Sequence, residues 1–516
     1  MTKQTFLKGT LILIIAGMIT RFLGFINRIV IARLMGEEGV GLYMMALPTL
    51  FLVITLSQVG LPVAISKRIA EADAKGDDRK IKKILIVSLL IVSCTSMLLT
   101  ILMLITIPFI ATTLLTDERT LYPLMAISPI VPIIAISSVI KGYFQGKQNM
   151  KPQSYALVIE QIVRIIFVFI LVKLTLPYGV HIAATGAMIS VIIGEIASLL
   201  FMITLFKRKK IVSIRYRFFA YLKESKDTLK ELFSIALPST GSRLINSISN
   251  FLEPIIVSQS LAIAGVATTV ATKQYGELTG FVFPLLFLPT FITNSLSIAL
   301  LPSISEAEAR NNQRLTRYRI QQSVRISFAS GALATIVLSI FSVTILTYMY
   351  GTANASKFLV LMAPFFLLLY IQSPLQASLV AMDYAKHAMM NSLTGAIIKF
   401  IILYLLASNP NFGIFGVAIA MSVGVVLITF LHLATLYKAI GFYISAKDIF
   451  KMVVLVASTF IIGTFLKFVY NYFGGGIFLF ILILVIMTIL YFLSLLILQF
   501  ITKEELNQIP IIQKWV

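Results

Sequence analysis

Cysteine and histidine are almost absent from this sequence. It has one cysteine, Cys94, and three histidines, His181, His387 and His432, among 516 residues. A single cysteine excludes disulfides within the chain and cysteine-rich metal sites. The histidines are far apart and form no metal-binding motif, and no G-x-x-x-x-G-K-[ST] phosphate loop is present. We therefore expect no bound metal and no cofactor.

Charged residues are also scarce. Only 12% of the residues carry charged side chains and 58% are hydrophobic, whereas a soluble domain has about 25% charged residues. A soluble chain of this length would form several domains with polar surfaces. The composition therefore excludes a soluble enzyme, a disordered protein and a fibre. It indicates an all-α integral membrane protein, because each spanning helix needs about 20 apolar residues.

Acidic residues are outnumbered two to one. The chain has 43 Lys+Arg and 21 Asp+Glu, for a net charge of +22. In a soluble chain this excess would suggest nucleic acid, but the cytoplasmic loops of membrane proteins also carry excess lysine and arginine. We therefore expect membrane lipids as surroundings and no nucleic acid as partner. The basic residues outside the apolar runs cluster at 67–83, 207–230 and 310–319, which predicts that both termini are cytoplasmic.

Hydropathy predicts fourteen spanning helices. The first apolar run continues past Arg21, so we interpret it as a spanning helix and not as a cleaved signal peptide. The predicted spans are 8–32, 40–66, 84–113, 122–146, 153–176, 183–206, 231–258, 270–302, 321–350, 356–382, 389–407, 413–438, 448–471 and 476–501.

The chain repeats itself at a spacing near 240 residues. Leu47-Pro48-Thr49 recurs as Leu288-Pro289-Thr290, and Leu61-Pro62 recurs as Leu301-Pro302. An even number of helices per repeat returns the chain to the same side, so the two copies are expected to be related by an axis along the membrane normal. This predicts an N-lobe at 1–206, a cytoplasmic basic linker at 207–230, a C-lobe at 231–438, and two further helices with a cytoplasmic tail at 439–516.

The first helix of each predicted lobe carries arginine. Arg21 and Arg28 are two helical turns apart and share a face, with Asn27 close by. Arg243 is followed by Asn246 and Asn250, which form a polar stripe with it. A charge inside a membrane costs at least about 2.5–3.5 kcal/mol on insertion scales, so such residues are functional candidates. The pattern predicts a cationic cavity that binds an anionic cargo, because arginine matches phosphate geometry.

Acidic residues within the spans leave a structural alternative open. Glu253, Glu277, Glu160 and Glu195 are candidate partners for the arginines, and Glu160 and Arg164 are expected to form an ion pair that only holds helices together. Helix 1 offers no acid before Glu37, which favours a functional role for Arg21. Glu253 and Glu277 are the candidates for binding a coupling ion.

Several segments resemble a known exporter superfamily. The segments TRFLGF at 20–25 and ARLMG at 32–36 resemble the helix-1 signature of MurJ-type lipid II flippases, which belong to the multidrug/oligosaccharidyl-lipid/polysaccharide (MOP) exporter superfamily. Within it, the stage V sporulation protein B group is similar to this chain over essentially its whole length. The segments that carry this second resemblance are 36–45, 142–150, 273–280 and 503–506.

The resemblance implies a function. It implies fourteen helices in two lobes, and an alternating-access flippase, not an enzyme, that exports an undecaprenyl-pyrophosphate-linked glycan similar to lipid II. It further implies a role in spore cortex synthesis, a bacterial cytoplasmic membrane that includes the forespore-surrounding one, and a cortex glycosyltransferase complex as partner. Arg21 matches the first cavity arginine of the flippases.

The chain departs from the flippase pattern at three places. It has Asn27-Arg28 in place of an Arg-Asp pair and Leu52-Val53 where those flippases carry an arginine. The flippases also carry an arginine–glutamate pair, which corresponds here to Glu277 together with either Lys273 or Gln274. Lys273 is therefore included among the candidate substrate-binding residues.

Four alternatives remain open at this point. The chain could be a cation-coupled multidrug exporter, an exporter of another lipid-linked polysaccharide, an integral-membrane glycosyltransferase or ligase, or a scaffold without transport. Arginine on both first helices disfavours the drug exporter, and the short, acid-poor outer loops disfavour the enzymes.

Overall fold

The computed structural model describes residues 6–208 and 226–500, and this part of the chain is helical and contains no strand. Most of the basic linker and the tail after residue 500, including the 503–506 segment, lie outside the described residues. We number the α-helices in chain order. They are α1 (Phe6–Gln58), α2 (Leu61–Ala74), α3 (Asp78–Phe109), α4 (Leu121–Ile127), α5 (Ile130–Gly146), α6 (Lys151–Thr175), α7 (Val180–Arg208), α8 (Lys226–Ile263), α9 (Thr268–Gly276), α10 (Phe283–Phe287), α11 (Thr290–Ala309), α12 (Gln313–Ile340), α13 (Ser342–Tyr350), α14 (Ser356–Ala381), α15 (Ala385–Ala407), α16 (Ile414–Ile440), α17 (Ala446–Tyr472) and α18 (Ile477–Ile497).

The helices are long and apolar enough to cross a membrane. Among the described residues, 11 helices or helical runs meet this criterion, or 12 if Thr268–Phe287 and Thr290–Ala309, bent by 51°, count as one span. Their outer surfaces are apolar too; Phe478 is 87% exposed and Ile497 is 79% exposed. A soluble fold would bury such side chains, whereas a lipid-facing helix exposes them. The chain is therefore a multi-pass membrane protein.

The predicted count of fourteen differs from the count in the structure at two places. The predicted spans 8–32 and 40–66 both fall on the continuous run Ile15–Ala74. They are separated only at Gly36, whose φ of 67° and ψ of −172° break α1 within its length. Helix α8 is not among the 11, because its polar and charged residues lower its hydropathy. The count of fourteen stays a prediction.

Two segments of π-helix interrupt the spans. Ile110–Leu114 follows α3, and Glu277–Val282 follows α9. A π-helical turn inserts one residue into the helix and is often found at functional sites. The second begins at Glu277, one of the candidate ion-coupling residues.

The chain divides into two compact units between Gly280 and Phe281. In the first unit, α8 and α9 pack with α1, and α8 also packs with α2 and α3. This boundary lies later in the chain than the basic linker, because the first helices after the linker belong to the first unit. The division into lobes at 1–206 and 231–438 describes the sequence repeat and stays a prediction.

Each unit has its own apolar core. In the first unit, α2, α3 and α5 meet around Ile65, Ile84 and Tyr143. In the second, α12, α14, α16, α17 and α18 surround Leu375, Leu436 and Tyr491. The Tyr491 hydroxyl donates a hydrogen bond to the Ala329 carbonyl, so this buried tyrosine is satisfied within the bundle.

Candidate functional site

The arginines of α1 lie on its first segment, before the break at Gly36. Arg21 is exposed and Arg28 is half-buried, while Asn27 between them is 6% exposed. The Asn27 Oδ1 atom has no hydrogen-bond partner among the described residues. Arg164 on α6 and Arg28 both interact electrostatically with the buried hydroxyl group of Tyr43. Arg28 and Arg164 therefore lie in one neighbourhood, on adjacent helices.

The polar stripe of α8 is exposed along its length. Arg243, Asn246 and Asn250 are all exposed. The hydroxyls of Ser247 on α8 and Thr55 on α1 are 2.8 Å apart and share a hydrogen bond. Ile248 and Leu252, which lie between and after the stripe residues, are also exposed, at 45% and 36%.

The candidate arginines differ from other cations of the first unit. Within residues 6–208 and 226–500, none of Arg21, Arg28 and Arg243 forms an ion pair. By contrast, Arg164 Nη2 lies 2.5 Å from Glu160 Oε1, and this is the structural pair that the sequence predicts. The three arginines thus have no protein acid to neutralise them in the part of the chain that is described.

Lys273 has an acid partner on another helix. Its Nζ atom lies 3.1 Å from Glu37 Oε2 on α1, directly after the Gly36 break. The resemblance aligned Lys273 or Gln274, together with Glu277, with an arginine–glutamate pair of the flippases; in the structure the ion-pair partner of Lys273 is Glu37. Lys273 is therefore engaged in an interhelical ion pair.

Two glycines allow this contact. A Cβ atom on Gly276 would stand 2.0 Å from the Glu37 carbonyl oxygen, and a Cβ atom on Gly41 would stand 2.1 Å from the Thr272 carbonyl oxygen. Any side chain at either position would push the helices apart. We call Glu37, Gly41, Thr272, Lys273 and Gly276 the α1–α9 contact.

A polar network extends the α1–α9 contact to the loop before α4. The Thr272 hydroxyl donates a 2.7 Å hydrogen bond to Asp117 Oδ2. Arg119 donates to both Asp117 and Glu38, with a 2.9 Å bond from Nη2 to Asp117 Oδ2. Burial alone would raise the pKa of Asp117, but the hydrogen bonds from Arg119 and Thr272 outweigh it and hold that pKa below its usual value. Asp117 is therefore a buried carboxylate at the centre of a network that joins three elements.

The end of α8 joins the same region. The Ser258 hydroxyl donates to the Leu115 carbonyl, and Gln259 Nε2 lies 3.2 Å from the Leu114 carbonyl. At the other end of α8, Glu231 lies 3.2 Å from Lys80 and 3.6 Å from Arg68. Helix α8 is thus attached to the other helices of the first unit near both of its ends.

The candidate ion-coupling acids lie near these contacts. Glu277 is 5% exposed, and Glu253 is half-buried with its charge reaching the buried Tyr275 on α9. No cluster of three or more metal-ligating side chains occurs in the described part of the chain. Glu253 and Glu277 are therefore not part of an assembled metal site within residues 6–208 and 226–500.

Sequence reasoning missed several residues of these networks. Asp117, Thr272 and Lys141 attracted no prediction, and Lys141 Nζ lies 3.3 Å from Glu195. A usable signal was present in part: Gly41 is a glycine inside an apolar helix, a pattern typical of close helix packing.

Comparison with known proteins places the chain among membrane exporters. Residues 6–308 match the family described as "Polysaccharide biosynthesis protein". The chain is 51% identical to "Stage V sporulation protein B" of Bacillus subtilis (strain 168) over 520 residues, which cover 99% of each chain. It is 24% identical to "Lipid II flippase MurJ" of the same organism, over 77% of this chain and 76% of that one.

The fold is also that of a solved exporter. The structure titled "Lipid II flippase MurJ, inward closed conformation" superposes with a TM-score of 0.67 at 16% identity, covering 94% of this chain and 97% of that chain. At this identity the similarity establishes the fold. The resemblance to MurJ-type flippases and to the sporulation group, drawn from sequence segments, is confirmed by these matches.

Proposed function

From the premise that this chain belongs to the polysaccharide biosynthesis protein family of the MOP exporter superfamily, we propose that it is an alternating-access flippase for an undecaprenyl-pyrophosphate-linked glycan similar to lipid II. Family membership makes it a membrane transporter and not an enzyme. The observation that carries the proposal is the set of three arginines, Arg21, Arg28 and Arg243, that lack an ion-pair partner among the described residues.

The charge of these arginines matches the cargo. A lipid pyrophosphate is an anion whose oxygens accept paired hydrogen bonds, and the arginine guanidinium donates such pairs in a fixed geometry. An arginine that already had an acid partner would have to lose it before binding the cargo. Arg21 and Arg243 are exposed, so an incoming anion gains their attraction without first breaking an ion pair. Asn27, Asn246 and Asn250 supply neutral hydrogen-bonding groups beside them.

The α1–α9 contact has the properties of a gate. It joins a segment of the first predicted lobe, 1–206, to a segment of the second, 231–438, through the Lys273–Glu37 ion pair and the close backbone contacts at Gly41 and Gly276. The lysine and arginine bias predicts that both termini are cytoplasmic, and with that orientation the contact would lie at the outer end of its helices. We propose that it is closed while the cavity accepts cargo from the inside and that it opens to release cargo outside. Lys273 would act in this gate, in addition to or in place of contacting the cargo.

The cellular role follows from the relatives. Identity of 51% over the whole chain to a stage V sporulation protein supports a role in sporulation, and we propose that the glycan is the precursor of the spore cortex, translocated across the membrane that surrounds the forespore. The two predicted lobes and the two helices of 439–516 would form the complete transporter of fourteen spans.

The rival with the same fold is a cation-coupled drug exporter. A binding surface for organic cations needs carboxylates without basic partners, whereas Arg21, Arg28 and Arg243 give this surface the opposite sign. The positive charge therefore favours an anionic cargo.

Reconstitution distinguishes the two transport functions. Vesicles that hold only this protein are loaded with fluorescent lipid II on one leaflet, and its appearance on the other leaflet is followed with an impermeant quencher. We expect protein-dependent translocation of lipid II and no uptake of organic cations such as ethidium. Ethidium transport without lipid II translocation would overturn the proposal in favour of the drug exporter.

A further inference from the structure

Basic residues surround the turn between α16 and α17 in the second unit. The start of α12 lies beside this turn, since α12 packs on α17 and Gln321 of α12 donates a hydrogen bond to the Asp448 carboxylate of α17. The segments 306–321 and 437–451 have three acids but seven basic residues, namely Arg310, Arg314, Arg317, Arg319, Lys438, Lys447 and Lys451. The charge excess is therefore concentrated where three helices begin or end.

The local backbone brings Arg317 to this turn. Gly441 ends α16 in the left-handed conformation, with a φ of 63°, which glycine adopts without strain. A Cβ atom on Gly441 would stand 3.5 Å from Arg317 Nη2, so the guanidinium lies directly beside the turn. The Ser445 hydroxyl then accepts a hydrogen bond from the Asp448 N–H and begins α17. Arg317 is therefore placed between the end of α16 and the start of α17.

Four of the basic residues are not neutralised by protein acids. The three acids of the two segments already have partners within them, in the pairs Glu306 with Arg310, Glu308 with Thr316, and Asp448 with both Gln321 and Ser445. By contrast, Arg317, Lys438, Lys447 and Lys451 form no ion pair within residues 6–208 and 226–500. The first three are exposed and Lys451 is half-buried. We call these four residues the α16–α17 basic patch.

The α16–α17 basic patch lies beside side chains that face lipid. Tyr443, in the turn itself, is 68% exposed, and Phe450 and Val453, about one and two turns into α17, are 69% and 59% exposed. Exposed apolar side chains on a spanning helix face acyl chains, and tyrosine is enriched where the membrane meets water. The basic side chains next to them therefore stand at the depth of the lipid headgroups.

We propose that the α16–α17 basic patch binds the phosphate headgroup of an anionic phospholipid of the surrounding membrane. Arginine donates paired hydrogen bonds to phosphate oxygens, lysine adds point charges, and basic pockets between spanning helices are typical of such sites. A phospholipid fits better than free phosphate, because its acyl chains also pack on Phe450 and Val453. The site lies in the second unit and includes none of Arg21, Arg28 and Arg243, so this lipid binds in addition to any cargo.

Photocrosslinking of the full chain in nanodiscs tests the site, and it needs no transport. A small fraction of phosphatidylglycerol with a photoactivatable acyl chain is added to phosphatidylcholine nanodiscs, and crosslinked peptides are identified by mass spectrometry. We expect more crosslinking at 442–453 than at 155–166, the start of α6, where Tyr155 and Ile162 are also exposed. Arg317→Gln with Lys447→Gln should weaken this crosslinking, by about fivefold for each charge removed.

A second pair of cations provides the matched control. Lys75 and Arg79 are exposed in another basic cluster, so Lys75→Gln with Arg79→Gln removes the same net charge and should leave crosslinking at 442–453 unchanged. A photoactivatable phosphatidylcholine, which has a phosphate and no net charge, should crosslink 442–453 no more than 155–166. Monodisperse elution shows that each variant folds. Lys438→Gln with Lys447→Gln takes the place of the first variant if that one aggregates, since both lysines are exposed.

Three outcomes would overturn the proposal. Equal losses in the two double variants would mean that net charge alone attracts the lipid. Crosslinking at 442–453 that is unchanged in Arg317→Gln with Lys447→Gln, or that is equal for the two lipid probes, would mean that the patch does not recognise an anionic headgroup. Displacement of the probe by an equal concentration of inorganic phosphate would assign the patch to a soluble anion.

Discussion

Gly276 of α9 lies so close to Glu37 of α1 that a Cβ atom on the glycine would stand 2.0 Å from the Glu37 carbonyl oxygen. The same two segments are joined by the ion pair between Glu37 and Lys273. A backbone contact and a charge contact thus coincide at a single crossing, and each supports a separate prediction.

Gly276→Ala should destabilise the protein. The added methyl group meets backbone, which cannot rotate away, and overpacking of this kind costs about 1–3 kcal/mol. Gly17→Ala is the matched control, because a Cβ atom at Gly17 meets nothing within 4 Å, and alanine in a helix is favourable by roughly 0.5–1 kcal/mol. Thermal unfolding in nanodiscs should show a lower Tm for Gly276→Ala alone. Equal Tm values for the two variants would show that Gly276 does not lie in close contact with the backbone of α1.

Reversing the charge of Lys273 should open the α1–α9 contact. Lys273→Glu places two carboxylates at 3 Å, and the double variant Glu37→Lys with Lys273→Glu restores an ion pair of opposite polarity. We expect the single variant to increase labelling of a cysteine placed at Thr272 and the double variant to reverse this increase. Labelling that stays high in the double variant would mean that the ion pair does not close the contact.

The pH dependence of the protein's thermal stability should follow the protonation of Asp117. Its folded-state pKa is depressed, so the carboxylate stabilises the fold above the unfolded pKa of about 3.9, and this stabilisation is lost as the pH falls through the lower folded-state pKa. Asp117→Asn lacks the titrating group. Between pH 7 and about pH 3, the wild type should lose more thermal stability than Asp117→Asn. Identical losses would exclude Asp117 as the group responsible.

The all-helical membrane fold was predictable because it depends on composition and hydropathy, which average over many residues. The arginines of α1 and α8 were found for the same reason, since a charge inside an apolar run stands out in a single sequence. The ion pair between Arg164 and Glu160 was also predicted, because four residues on a helix fix the distance between side chains.

Contacts between distant segments could not be predicted in this way. The partner of Lys273 is 236 positions away in the chain, at Glu37. The break at Gly36, the residue before Glu37, is a local backbone geometry that hydropathy does not detect. Asp117 and Thr272 likewise meet only in three dimensions. Hydropathy also counted α8 as an ordinary span, although its polar stripe and its contacts with α1, α2 and α3 set it apart.

The membrane potential should drive the proposed cycle. A pyrophosphate with about two negative charges gains about 2.3 kcal/mol per charge per 100 mV when it leaves a negative interior. The return of the empty cavity, with Arg21, Arg28 and Arg243 uncompensated, moves positive charge inward and is also favourable. Valinomycin with external potassium collapses the potential while the pH gradient is held. We expect outward translocation to slow severalfold; an unchanged rate would point to an ion gradient as the energy source.

The central claim is that arginines without acid partners bind the anionic head of a lipid, and translocation of lipid II by arginine variants in protein-only vesicles tests it most directly. Arg21→Ala and Arg243→Ala should each abolish translocation while inserting and eluting normally, with Lys restoring part of it because it keeps the charge and loses the paired geometry. Arg310→Ala is the control, since Arg310 is 72% exposed and already paired with Glu306, and it should translocate at the wild-type rate. Wild-type translocation by both Arg21→Ala and Arg243→Ala would contradict the account.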